Sequence, residues 1–130
     1  CQATLNHSYS YGIDIYNLLL DIAIHKKVNL KYQDKIVSVG DLYLPNKEGI
    51  IEQITPLEEL LKMDDVIGGK LFAKIGEYQK KRRVGNDASG WVQVLGENEF
   101  DTLQKMQKIY DIFEIEVSND MGGKKYVKKI

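Results

Sequence analysis

Cysteine occurs once in these 130 residues, and histidine and proline twice each. One cysteine excludes an internal disulfide and any zinc site built from several thiolates. Two histidines, His7 and His25, are too few for a histidine-rich metal centre. No run approaches the roughly 20 apolar residues of a membrane helix. Charge of one sign is missing as well: 18 basic residues face 19 acidic ones, for a net charge of −1. That balance argues against a dedicated nucleic-acid coat and against a polybasic membrane binder. Stability therefore has to come from an apolar core. With 43% apolar and 28% charged residues, the composition is that of a globular domain, and a chain of this size buries roughly two-thirds of its unfolded surface.

The single cysteine is Cys1, and no methionine precedes it. Such an end points to processing or to excision from a longer chain. Lipoprotein maturation, release of an intein numbered from its nucleophile, and a plain chain boundary are the three routes to it. In each the thiol serves a different purpose.

The expected fold class is α+β: one domain over 1–130, mostly antiparallel sheet, with about three helices. Residues 1–12 are polar and aromatic without a helical period, and read as a tether or an edge strand. Apolar residues at 13, 16, 19, 20, 23 and 24 predict a helix over 13–27, with Lys26 and Lys27 at its electronegative end. Alternation at Val28, Leu30 and Tyr32 followed by Ile36–Leu44 predicts a hairpin, and Ile50–Ile54 a short strand. Thr55-Pro56-Leu57-Glu58 has the form of a capping box with proline at the first helical position. The helix it opens should stop near Met63.

Residues 71–78 suit helix and strand equally. Lys80–Arg83 leads into a GNDASG loop, and Trp91–Leu95 reads as a strand with Trp91 in the core. Phe100, Leu103, Met106, Ile109 and Tyr110 mark one face of a helix capped by Asn98. Phe113–Val117 and Lys124–Val127 close the chain as a hairpin.

Thr4 and His7, in ATLNHSY, form a Thr-x-x-His pair. On a strand end and turn, the imidazole can protonate a departing amide nitrogen while the hydroxyl or a backbone amide holds the oxyanion. This segment resembles the TxxH block of inteins and the wider Hint superfamily. KIVSVGDLYLP at 35–45 is similar to the family's V-x-x-G-D-x-L strand, and IYDIFEIEVSND at 109–120 to its late Y-D-I-x-V block. The resemblance implies a β-rich horseshoe and a partial or degenerate autoprocessing element. Cys1 would be the nucleophile of an N-to-S acyl shift, with Thr4 and His7 assisting and a flanking polypeptide as partner. It implies no cofactor and no metal, and a cytoplasmic setting. The sequence departs from the family in three places. Five residues separate Cys1 from His7 where several strands are usual, Asn119, Asp120 and Met121 stand where the late block usually carries a histidine, and the chain ends KKYVKKI without the terminal His-Asn.

The residues leave other readings open. A non-catalytic binding domain for a protein or ligand is the competing class. If Cys1 carries acyl chains, that domain is membrane-anchored and extracytoplasmic. A third reading gives the Lys80–Arg83 run and the lysine pairs at 124–125 and 128–129 a phosphate backbone to follow. The remaining candidates read as structural. His25 suits a helix end, Asp64-Asp65 a loop, and Gly68-Gly69-Lys70 lacks the rest of a phosphate loop.

Overall fold

The computed structural model describes residues 2–35, 37–84, 87–120 and 125–127, with side chains described for 6–35, 37–84 and 87–118. Among these, three helices and a single helical turn accompany two antiparallel sheets. The helices are α1 (Gln2–Tyr11), α2 (Ile15–Ala23), the one-turn α3 (Leu57–Leu60) and α4 (Glu99–Ile112). The strands are β1 (Ser38–Tyr43), β2 (Gly49–Ile54), β3 (Val66–Leu71), β4 (Tyr78–Gln79), β5 (Gly90–Gly96), β6 (Ile115–Asp120) and β7 (Lys125–Val127). One sheet has the order β1-β5-β3 and the other β4-β2-β6-β7. The class is α+β, as the alternating patterns predict.

The core forms between the sheets and beneath α4. Its buried members include Leu44, Val92 and Val94 from the first sheet, Ile51, Ile54, Ile115 and Val117 from the second, and Leu60, Ile109 and Phe113. Ile51 and Ile54 are three apart, a spacing that would put them on opposite faces of a regular strand. The register shift between Ile51 and Gln53 restores them to one face, opposite Val117 and Ile115. A second shift, between Val66 and Gly68, does the same for Val66 and Gly69 opposite Val94 and Val92. Each bulge thus converts a spacing of three into two residues on the same side.

Asn98 caps α4 as expected, its side chain accepting from the Asp101 amide at 3.0 Å. The buried face of α4 is rotated from the expected one. Thr102 and Ile109 are buried, whereas Phe100, Leu103 and Tyr110 stand in solvent. Two glycines in the sheet explain the rotation. A Cβ at Gly40 would meet the Met106 sulfur at 2.9 Å, and one at Gly96 would meet the Thr102 amide nitrogen at 2.6 Å. The sheet is therefore bare where Thr102 and Met106 approach. The Thr102 hydroxyl donates to the Asn98 carbonyl at 3.0 Å, which satisfies its polar group before burial.

Three other expectations are corrected. Residues 2–11 form a helix, neither tether nor edge strand. No strand forms over the described residues of 28–37. There the Gln33 amide donates to the Tyr11 carbonyl at 3.1 Å and the Val37 amide to that of Ser10 at 3.4 Å, while the Gln33 side chain reaches the Tyr9 and Ser10 carbonyls. The segment caps α1 instead of pairing with β1, whose partner is β5. Gly12 allows this with a φ of 66°, the left-handed end typical of a helix C-terminus. Thr55, lastly, makes no capping box. Its amide and hydroxyl both serve the Glu114 backbone, extending the β2–β6 ladder, and α3 has no side-chain cap.

Lys105 ties three elements together. Its ammonium lies 2.7 Å from both Asp65 and Asp101 and donates to the Leu95 carbonyl at 3.3 Å. Asp65 sits in the turn before β3 with a φ of 69°. The hydrogen bond to Asp101 and then that to Asp65 hold the Lys105 ammonium above its usual 10.5. The same bond, with help from the Glu97 amide, holds the Asp101 carboxyl below its usual 3.8.

A lowered carboxyl stabilises the fold above its unfolded value and stops doing so as pH falls through the folded one. A raised ammonium stabilises below its unfolded value and stops as pH rises through the folded one. Thermal melts across pH should therefore show stability lost below about 3.8 and again above about 10.5, with Lys105→Met weakening both limbs. Gly96→Ala should cost about 1–3 kcal/mol in chemical denaturation, as overpacking against a fixed helix does. Gly68→Ala should cost much less, because the nearest non-neighbouring atom among the described residues is the Gln93 side-chain oxygen at 3.3 Å.

Candidate docking surface of the helical pair

The outer face of the three-stranded sheet carries the side chains that alternate with the core. In β1 and β5 these are Val39, Asp41 and Tyr43 opposite Leu95, Gln93 and Trp91. Trp91 was expected in the core. Val92 and Val94 take that side, leaving Trp91 half-buried on the outside between Tyr43 and Lys70. Val92 and Val94 are wholly buried, and the alternation of the strand then puts Trp91 on the other face.

α1 lies on this outer face through a polar chain. Gln93, only 3% exposed, donates to the Asn6 side-chain oxygen at 2.6 Å. Asn6 in turn donates to one Asp41 carboxylate oxygen at 2.9 Å. The other Asp41 oxygen is buried and has no hydrogen-bond partner among the described residues. Among the described side chains, hydrogen bonds register this helix on the sheet.

The predicted catalytic set can now be placed. Cys1 lies outside the described residues. Thr4 and His7 are on α1, one helical turn apart, and not on a strand end and turn. Nothing is described of the Thr4 side chain. His7 is exposed, with its ring stacked near Tyr11 at 6.1 Å between centroids. His25 follows α2 with a φ of 54°, its amide on the Ile22 carbonyl at 3.1 Å, as a helix-end residue should be. Lys80–Arg83 is exposed loop. Asp87 braces it by accepting from the Arg83 and Val84 amides at 2.8 and 3.1 Å, contacts that lower its carboxyl. Of the lysine pairs at 124–125 and 128–129, only Lys125 falls on a described residue, in β7. Among the described residues no cluster of three or more His, Cys, Asp and Glu could hold a metal ion, and no helix is long and apolar enough to cross a membrane.

The helix expected over 13–27 is present as α2 (Ile15–Ala23), and what sequence reasoning missed is its exposure. Asp14 caps it through the Asn17 amide at 3.0 Å, and its sequence is IYNLLLDIA, yet none of its residues is buried. Leu19, Leu20, Ile22 and Ile24 are each more than half exposed. The half-buried Ile15 and Leu18 lie along one edge of the same broad apolar face, and Asn17 and Asp21 mark the polar side. A helix with so broad an apolar face normally turns it toward a core. Tyr9, Tyr11, Leu30 and Tyr32 continue the exposed apolar area around the pair. Periodicity pointed to one broad buried face, and the signal that was available was the width of that face.

No family model matches this chain, and no curated protein does. Among solved structures it is similar to phosphoribosylglycinamide synthetase from Anaerococcus prevotii, with a TM-score of 0.66 at 20% sequence identity. The match covers 88% of this chain and 30% of that one. It extends to the fold, and the chain spans less than a third of the solved protein's length.

In Asn6→Ala, amide hydrogen exchange over α1 should accelerate by at least about tenfold, the loss of roughly 1.4 kcal/mol expected for a hydrogen bond to a charged group. Exchange in β5 should stay near wild type. Equal acceleration in α1 and β5 would show that α1 is part of the cooperative core and not an appended layer.

Proposed function

We propose that this chain is a non-catalytic binding domain acting as one module of a larger synthetase-type protein, on which it docks through the outward face of α2. The carrying observation is the exposed apolar face of Leu19, Leu20 and Ile24. Completing the burial of such side chains contributes on the order of 1 kcal/mol each. In water a contiguous patch of this kind is a liability and marks a contact surface. The likeness to under a third of a synthetase supports the reading, because it supplies a context in which a module of this fold accompanies much more chain. The perturbed titratable groups also support it. Asp101 and Lys105 clamp elements together, Asp87 braces a loop, and the Tyr78 hydroxyl, raised by its bond to Glu48, links a strand to a loop. All four serve the architecture.

Hydrogen exchange on the product of the complete natural reading frame, compared with residues 1–130 alone, tests this. The amides of Ile15–Ala23 should exchange at least about tenfold more slowly in the complete protein, as burial of a helix face requires. Leu20→Lys should abolish that difference while leaving β5 protected. If α2 exchanges equally in both, the docking reading falls. A thiol-releasable fragment that disappears in Cys1→Ala would instead favour the autoprocessing reading of Cys1, Thr4 and His7.

A further inference from the structure

A cleft of about 270 Å³ opens where the two sheets meet, far along the chain from α1 and α2. Buried Ile51 and Ala88 lie at its base, and Phe72, Lys74, Tyr78 and Lys80 stand around it. The volume is just below the ~300–1,000 Å³ of ordinary ligand pockets, enough for one ring and a substituent. Phe72 and Tyr78 are 45% and 60% exposed, so two aromatic rings border an opening instead of filling the core.

Each acid around the opening already has a partner. The Asp87 carboxylate receives the Arg83 and Val84 amides. Glu48 accepts from the Tyr78 hydroxyl at 3.2 Å. Glu77 pairs with Lys74 at 3.6 Å. Lys80 forms no ion pair among the described residues. The Lys70 ammonium lies 5.8 Å from the Phe72 centroid, adding a further cation beside the ring. The site is therefore apolar at its base, aromatic at its walls and cationic at one rim. The Asn46 amide is fixed nearby by its bond to the Asp87 carbonyl at 2.7 Å, and it keeps a second N–H to donate.

We propose that this cleft binds a small aromatic anion, a single planar ring bearing a carboxylate or a phosphate. The ring lies against Phe72 and Tyr78 over Ile51 and Ala88, and the anionic group meets Lys80 at the rim. An apolar base favours the ring, and the uncommitted ammonium sets its orientation. Neither alone would hold a ligand of this size, so both parts are required. Affinity on the order of millimolar is what about ten non-hydrogen atoms supply in an open site.

Titration of the 130-residue chain, followed by amide chemical shifts, tests the proposal with four probes: phenyl phosphate, benzoate, inorganic phosphate and benzamide. Phenyl phosphate, benzoate or both should give saturable shifts over Asn46, Phe72–Lys80 and Ala88. Which of the two binds tighter identifies the anionic group. Inorganic phosphate, lacking the ring, and benzamide, lacking the charge, should each bind several-fold more weakly. Lys80→Gln should weaken the aromatic anions about two- to fivefold, the range of an exposed ion pair. Phe72→Leu should weaken them about two- to tenfold, the range of a ring–ring contact. The proposal is overturned if no probe shifts these amides saturably. It is equally overturned if inorganic phosphate matches phenyl phosphate and the shifts centre on Lys81–Arg83, since that is unspecific charge attraction to the basic loop.

Discussion

β5 is the strand on which the rest of this structure depends. It lies between β1 and β3, and both of its faces are covered along its centre. Val92 and Val94 are wholly buried on the inside, while Gln93 between them holds α1 on the outside. One strand therefore joins two layers of different character. Inside, apolar burial and close packing dominate. Outside, a glutamine, an asparagine and an aspartate align a helix by direction and distance. A strand that serves both layers cannot shift register by one residue, because the valines and the glutamine would exchange environments.

Glycine in the inner layer and bulges in two strands follow from the same constraint. α4 crosses close above β1 and β5, and Gly40 and Gly96 provide the space for Thr102 and Met106. The bulges in β2 and β3 keep apolar residues three apart on the core side, where β5 and β6 present theirs two apart. Lys105 then fastens the helix to the turn before β3 and to the end of β5. Its three contacts use flexible methylenes to reach groups that the backbone alone could not bring together.

Local signals in the sequence were legible wherever the governing interaction was local. The Asn98 cap, the extent of β1, β2 and β5, and the pairing of β6 with β7 all followed from residues within a few positions of one another. Thr55 shows the opposite case. Its four-residue signature was complete, but Glu114, 59 positions away, offered a ladder position, and the ladder won. Gln33 and Trp91 show the same thing: one was claimed by the end of α1, the other turned outward by the strand face that buries Val92 and Val94. The rotated face of α4 was unreadable for a similar reason. Phe100 and Leu103 are more apolar than Thr102, and only the two sheet glycines make threonine the better fit. The candidate docking face was partly legible, since the apolar face of IYNLLLDIA is wider than a helix on the surface needs.

The contrast between the two helices of the N-terminal pair bears on how the module would work. Among its described side chains, α1 is held to the sheet by polar contacts that require exact distances and contribute modestly. α2 is held chiefly through α1, and offers water an apolar face that contributes nothing until it is covered. A partner seated on α2 would gain the apolar free energy, while the Asn6–Asp41–Gln93 chain would determine where that partner stands relative to the sheet. Affinity and geometry are thereby carried by different residues. A change on α2 would weaken the association without reorienting it. A change at Asn6 would loosen the orientation while leaving the apolar contact intact. The cleft bordered by Phe72 and Tyr78 is lined by no residue of either helix, so the two sites are built from separate parts of the fold.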